Sequence, residues 1–249
     1  MIKVLINGCN GKMGQELAKA IKTSQDFEAV CGVDRMDTGD NPFPVFTNIT
    51  DIDIVPDVII DFSVPVATFA ILEFAKKHSI PTVVATTGFS DKELEKLENY
   101  AKEFPLFRSA NMSYEINLMA KICQEIAANS KESDIEIVET HHNRKIDAPS
   151  GTALILADAI NETLDNSMHY EYNRHSKKEK RDKKEIGIHS IRGGTEVGTH
   201  SVIFFGENES LEIKHTCTSR GVFANGALKA AAFILHKEPT KLYSMNDMF

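Results

Sequence analysis

Between Glu139 and Ala153 the chain reads Glu-Thr-His-His-Asn-Arg-Lys-Ile-Asp-Ala-Pro-Ser-Gly-Thr-Ala. His141 and His142 are adjacent, Arg144 and Lys145 follow, and a Ser-Gly-Thr turn closes the segment. Imidazole and ammonium groups can deliver protons, and gathered cations can hold carboxylates. Pro149 biases the residue before it away from helix, so a helix must begin after it. Ser150 is then the N-cap, and the first-turn amides of Gly151 and Thr152 can bind an anion. Metal ligation is the rival reading of the histidine pair. Adjacent residues of an extended segment point to opposite sides, and no carboxylate or cysteine motif accompanies the pair, so no metal site is expected.

A second chemical signal lies at the start, where Gly8-Cys9-Asn10-Gly11-Lys12-Met13-Gly14 follows an apolar run. Glycines between a strand and a helix let the backbone approach a pyrophosphate, and the helix N-terminus supplies amide donors and a positive dipole end. The spacing differs from Gly-x-Gly-x-x-Gly. Asp34 stands twenty residues past Gly14, where an acid can hydrogen-bond an adenosine ribose. Arg35 and Lys12 can neutralise a 2′-phosphate instead, so NADH and NADPH are both expected.

These groups need a scaffold, and the first 112 residues alternate short apolar runs with helix-period segments, the pattern of βαβ units. Strands are expected at 4–6, 29–33, 58–62, 82–85 and 106–107, with helices between them. Pro65 marks a first helical turn, and Ser90-Asp91-Lys92-Glu93 has the form of a capping box. A doubly wound parallel sheet is the natural assembly. After residue 112 the rhythm changes. A long helix to about 129, a strand at 135–140 and a helix at 152–164 precede strands at 186–191, 201–205 and 211–217, as in a mixed sheet. The last strand alternates Leu211, Ile213, His215 and Cys217, so one face is expected to be buried. A second α+β domain is therefore placed at 113–222, and the apolar helix at 223–235 can pack on either domain. The basic stretch at 174–185 reads as a solvated loop or flap.

The 249 residues carry a formal charge of −8 and 42% hydrophobic residues. That balance argues against a nucleic-acid surface and for local capture of anions. Cys9, Cys31, Cys123 and Cys217 form no Cys-x-x-Cys pair and read as reduced core thiols. The N-terminal run lacks the length and flanks of a signal peptide, and no apolar run nears the ~20 residues of a membrane span, so a cytoplasmic protein without a membrane partner is expected.

With these residues in view, the chain resembles the 4-hydroxy-tetrahydrodipicolinate reductase family, also called dihydrodipicolinate reductases. The Glu139–Ala153 segment matches that family's signature. The Gly8–Gly14 turn, Asp61-Phe62-Ser63, Thr86-Thr87-Gly88-Phe89, Ala110-Asn111, Ser190-Ile191-Arg192-Gly193-Gly194 and Arg220 with Phe223-Ala224 and Gly226-Ala227 fall in the family's order. The resemblance covers essentially the whole chain. It implies a Rossmann-like dinucleotide domain formed by 1–112 with 223–249, since the family's last helix returns there, and a substrate-binding and oligomerisation domain at 113–222. It also implies NADH- or NADPH-dependent reduction of a cyclic imine dicarboxylate to tetrahydrodipicolinate in diaminopimelate and lysine synthesis. By the family pattern His141 and Lys145 are proton-donor candidates, His142 contacts substrate, and Gly151 with Thr152 holds a carboxylate. Gly8, Cys9, Asn10, Gly11, Lys12, Met13, Asp34 and Arg35 would bind the cofactor, with Ala85, Thr86, Thr87, Ser109, Ala110, Asn111 and Met112 on its nicotinamide side. Ala85 stands where the family usually has glycine, and Met112 where an aromatic is common. A homotetramer joined through the second domains is implied too. The rival class is a non-catalytic NAD(P)H-sensing protein, which would have no use for the Glu139–Ala153 motif.

Overall fold

The computed structural model describes residues 1–249, and the chain divides into two compact units. The first comprises Met1–Tyr114 with Arg220–Phe249, the second Glu115–Ser219.

In the first unit, apolar runs too short for helices become strands β1 (Ile2–Asn7), β2 (Phe27–Val33), β3 (Val45–Phe46), β4 (Val58–Asp61), β5 (Thr82–Val84), β6 (Leu106–Arg108) and, from the chain's end, the twelfth strand Leu242–Tyr243. They form one seven-stranded sheet, ordered Leu242–Tyr243, β6, β5, β4, β1, β2, β3, in which every pairing is parallel. The order reverses between β1 and β4, so a crevice opens at their carboxyl ends. The two-residue strands at 45–46 and 242–243 escaped the sequence reading because each pairs through only two residues.

Helices cover both faces. On one lie α1 (Lys12–Lys22) and the helix Gly221–Ile234, packed in a core that includes Val4, Ile6, Leu17, Ile60 and Phe107. On the other lie α2 (Pro65–His78) and α3 (Asp91–Tyr100) over Leu5, Ile59, Ile71, Leu72 and Leu106. Alternate strand residues thus serve opposite cores, as a two-sided sheet requires. The helix Gly221–Ile234 buries Ala224, Ala227, Ala230 and Ala231, small residues at helical spacing that let it lie close to the sheet. Pro65 occupies the first turn of α2, and Ser90 and Glu93 cap α3 reciprocally.

In the second unit, α4 (Tyr114–Asn129) leads to β7 (Asp134–His141), α5 (Gly151–Thr163), β8 (His169–Glu171), β9 (Glu185–Arg192), β10 (Gly198–Phe205) and β11 (Ser210–Cys217); the helix Gly221–Ile234 is α6 and the strand Leu242–Tyr243 is β12. The sheet order is β11-β10-β7-β9-β8, antiparallel from β11 to β7 and parallel from β7 to β8. Ile135, Ile137, Ile186, Ile188, Val202 and Phe204 share a core with Met119, Cys123, Leu156 and Ile160 from α4 and α5.

Two expectations change here. β11 is an edge strand, and its inward face is only partly covered, with Leu211 51% exposed. The basic segment is not a free charge run. Arg181 donates to Glu136 Oε1 at 3.0 Å, to Asp134 at 3.2 Å and to the carbonyls of Ile135 and Glu185, while Arg174 binds both oxygens of buried Glu185. Acids on β7 and at the start of β9 neutralise this stretch and staple it to the sheet. Lysine and arginine density in one window cannot reveal partners some 45 residues away.

Candidate active site

The turn after β1 brings the first group of candidates together. Gly8 has φ of +80° and Gly14 is packed so closely that a Cβ there would meet Gly8 O at 2.2 Å, so neither position tolerates a side chain. Gly11 caps α1, which starts at Lys12 and presents its first amides at the carboxyl edge of the sheet. Asp34 directly follows β2 beside this turn, with Oδ2 accepting Asn10 N–H at 2.8 Å and Oδ1 accepting Arg35 N–H at 2.8 Å. Lys12 and Arg35 extend into solvent around it. Cys9 is fully buried and burial pushes its thiol up to about 12, so its backbone rather than its sulfur is available to a ligand. A backbone cradle cleared of Cβ atoms, a helix N-terminus, one carboxylate and two solvent-facing cations fit a dinucleotide.

The neighbouring strand ends carry the second group. Ala85 and Thr86 leave β5, Thr87 and Gly88 are exposed, and Gly88 has φ of +85°. Ser109 N–H donates to Val84 O at 3.3 Å, which sets the 109–112 turn beside the 85–88 turn. Ala110 is exposed, whereas Ser109 and Asn111 are buried and Ser109 Oγ donates to Asn111 O at 2.7 Å. Met112 is 3% exposed and packs in the core beneath.

Sequence reasoning gave Asp61 no role, yet it ties these turns together. Fully buried at the end of β4, its carboxyl accepts from Asn7 Nδ2 (2.8 Å), Ser63 Oγ (2.5 Å), Thr68 Oγ1 (2.5 Å) and Thr86 Oγ1 (2.9 Å). No cation is among these partners, and burial raises its proton affinity against those hydrogen bonds. The signal was an acid closing the apolar run Val-Ile-Ile without a basic neighbour.

In the second unit, β7 alternates so that Ile135, Ile137, Glu139 and His141 face the helices. Register then lays a polar row across the sheet: Ser190 on β9, Glu139 on β7, His200 on β10 and His215 on β11. His141 pairs with Arg192 one step further along. Above the row sits the N-terminus of α5, with Ser150 as cap accepting Ala153 N–H at 3.1 Å.

Glu139 is the hub, with no exposed surface. Oε2 takes Arg192 Nη1 at 2.8 Å and His141 Nδ1 at 2.6 Å, and Oε1 takes Arg192 Nη2 at 2.7 Å and Ser150 N–H at 3.1 Å. Burial alone would raise this carboxyl, but hydrogen bonds from Arg192, Ser190 and His141 outweigh it and hold the group at about 2. His200 Nε2 meets Ser150 Oγ at 2.9 Å, and its ring stands edge-on to His141 with centroids 5.1 Å apart. Desolvation, with help from His141, lowers His200 to about 4, so it is neutral at physiological pH.

Lys145 and His142 lie in the turn after β7. Lys145 does not stand alone. Asp147 sits 2.8 Å from its Nζ, and the two make a partly exposed pair. His142 N–H donates to Glu196 O, and Arg192 Nη2 also holds Asp147 O, so the turn is braced from β9 and the loop after it. The Ala148–Pro149 bond is cis, Gly151 is exposed, and Thr152 is half-buried in the first turn of α5. The second unit thus holds one histidine with a fixed partner, one lysine and the amides of a helix N-terminus, residue types able to deliver protons and to hold an anion. Glu139, Arg192 and His200 went unassigned from sequence, although Glu139 shares inward parity with Ile135 and Ile137, and a charge on a buried face needs partners.

Comparison with known proteins covers both units. The family model described as dihydrodipicolinate reductase, N-terminus, matches residues 2–112, and the one described as dihydrodipicolinate reductase, C-terminus, matches residues 115–249. A 4-hydroxy-tetrahydrodipicolinate reductase of Caldanaerobacter subterraneus subsp. tengcongensis is 50% identical over 248 residues, covering 100% of this chain and 98% of the relative. One from Clostridium tetani is 46% identical over 249 residues, covering 100% and 97%. Among solved structures, a dipicolinate-bound dihydrodipicolinate reductase from Paenisporosarcina sp. TG-14 superposes with a TM-score of 0.84 at 28% identity, with full coverage of both chains. A myo-inositol dehydrogenase from Corynebacterium glutamicum shares the fold alone, at 16% identity, a TM-score of 0.59 and coverage of 95% and 89%. The chain belongs to the dihydrodipicolinate reductase family.

Proposed function

We infer that this protein is a 4-hydroxy-tetrahydrodipicolinate reductase, using NADH or NADPH to reduce a cyclic imine dicarboxylate to tetrahydrodipicolinate in diaminopimelate and lysine synthesis. The observation that carries the reading is the Glu139-centred network, which fixes a histidine and a helix N-terminus beside a lysine. A redox-sensing protein would have no use for it.

When bound, the reduced nicotinamide supplies a hydride. Its dinucleotide is held by Gly8, Cys9, Asn10, Gly11, Lys12 and Met13 through the glycine turn and α1, and by Asp34 and Arg35 at the ribose. Ala85, Thr86, Thr87, Ser109, Ala110, Asn111 and Met112 form the nicotinamide side, where buried Met112 acts through packing. Asp34 suits a free 2′-hydroxyl, Lys12 and Arg35 suit a 2′-phosphate, and both cofactors are used.

The substrate's two carboxylates are held by His142 and by the α5 amides with Thr152, the second at Gly151–Thr152, where the dipole end is positive. Hydride addition leaves the ring one proton short, and His141 and Lys145 are the groups able to supply it. Asp147, 2.8 Å from the Lys145 Nζ, fixes where that side chain points.

The protein works as a homotetramer in the cytoplasm, with no nucleic-acid or membrane partner. Support for assembly is the open face of the second sheet, which carries Val138, Ile191, Ile203 and Phe205, with Ile191 and Phe205 52% and 42% exposed. No helix is long and apolar enough to cross a membrane.

Titration with pyridine-2,6-dicarboxylate, a flat diacid of the substrate's shape, tests the site. Binding that weakens at least tenfold in Thr152→Val supports it. Binding untouched by changes at both His142 and Thr152 contradicts it.

A further inference from the structure

His141 is one of two proton-donor candidates, but a histidine has two nitrogens, and which of them can act depends on what holds the other. The geometry around Glu139 decides this. Each of its oxygens already accepts from the Arg192 guanidinium, and Oε1 accepts Ser150 N–H as well. A carboxylate receiving three donors, two of them from a permanent cation, is ionised and can only accept. The short contact from His141 Nδ1 to Oε2 must therefore carry its hydrogen on Nδ1. Nε2 is the remaining nitrogen, and it lies toward β10 at Gly198, where a Cβ would approach to 3.0 Å. The lack of a side chain at Gly198 keeps that side of the ring open. Other charged or titratable neighbours do not compete for Nδ1. His200 is committed through Nε2 to Ser150, and Lys145 is paired with Asp147.

We propose that Glu139, clamped by Arg192, is the positioning residue that locks hydrogen onto His141 Nδ1, so that Nε2 is the nitrogen that takes up a proton from solvent and, from the resulting imidazolium, passes that same proton to substrate. The same carboxylate anchors the first turn of α5 through Ser150, so the proton donor and the carboxylate-binding amides are placed by one group. This rests on His141 acting as an acid in the reaction, but its structural core does not.

Nitrogen-15 spectra of the labelled full-length protein, taken where the imidazole is neutral, report the tautomer directly, with His141 assigned by its loss in His141→Asn. The expected wild-type signal is the Nδ1-protonated form. In Glu139→Gln that form should give way to the Nε2-protonated one, with kcat falling about 10²-fold and affinity for pyridine-2,6-dicarboxylate changing less than threefold. Glu139→Asp, which restores a carboxylate, should recover the Nδ1-protonated form and part of kcat. Gly198→Ala leaves Glu139 in place and should lower kcat with the tautomer unchanged, which keeps the test informative where Glu139→Gln folds poorly. A wild-type ring protonated on Nε2, or a Gly198→Ala enzyme with full kcat, overturns the proposal. Full activity in His141→Asn would instead remove the acid role assigned to His141, a result the tautomer measurement distinguishes.

Discussion

Lys145 and His200 show how environment assigns work to single side chains. Lys145 pairs with Asp147 at the rim of a turn that Arg192 braces, and its side chain stays partly exposed, which suits the proposed donor role. Lys145→Ala should lower kcat by ~10²–10⁴, the usual worth of a positioned acid. Steady-state kinetics at saturating cofactor check this, and a loss of cofactor affinity with kcat intact would move the role elsewhere. His200 lies at the opposite extreme, with burial lowering it to about 4 against 6.5 for the free side chain. The unfolded chain therefore binds a proton that the folded one refuses, and stability falls as pH drops from about 6.5 toward 4. Between pH 7 and 5 this amounts to about 2 kcal/mol. Urea titrations at the two pH values should find that much less pH dependence in His200→Asn, and an unchanged dependence would mean His200 is protonated in the fold.

At the scale of elements, the network depends on chain segments far apart in sequence. β7 supplies Glu139 and His141, β9 supplies Arg192, β10 supplies His200 and α5 supplies Ser150. Periodicity and turn chemistry made most of these elements legible: the Val-Ile-Ile run of β4, Pro65 at the start of α2, the Ser90–Glu93 box and the inward alternation of β7. Ser150 as an N-cap was legible as well, because Pro149 leaves a helix little choice of where to begin. What stayed hidden was pairing across the sheet. Nothing local in Ser190-Ile191-Arg192 says that its guanidinium meets a carboxylate 53 residues earlier, and nothing in residues 174–185 says that Arg181 returns to β7. That staple carries its own expectation. Arg181→Met leaves Asp134 and Glu136 without their main cation, so amide exchange across 174–185 should speed at least tenfold while affinity for the diacid holds. Unchanged exchange would show the segment to be held by something other than Arg181.

For the whole molecule, the proposed function assigns one part of the chemistry to each of two separately cored units, a cofactor cradle to the parallel sheet and proton donors with an anion site to the mixed sheet. The open face of the second sheet, bearing Ile191, Ile203 and Phe205, is what a homotetramer would cover. Light scattering should give four chains for the wild type and fewer for Ile203→Glu with Phe205→Glu. A wild-type monomer would leave that face without the proposed role. The central claim is tested most directly by a coupled assay in which pyruvate and aspartate semialdehyde are condensed by a synthase, this protein is added, and cofactor absorbance is followed. Oxidation of both NADH and NADPH that depends on the condensed product, with kcat/KM values within a thousandfold of each other, is the expected result. No oxidation of either cofactor by the folded wild-type protein, when the condensed product is demonstrably present, would contradict the account.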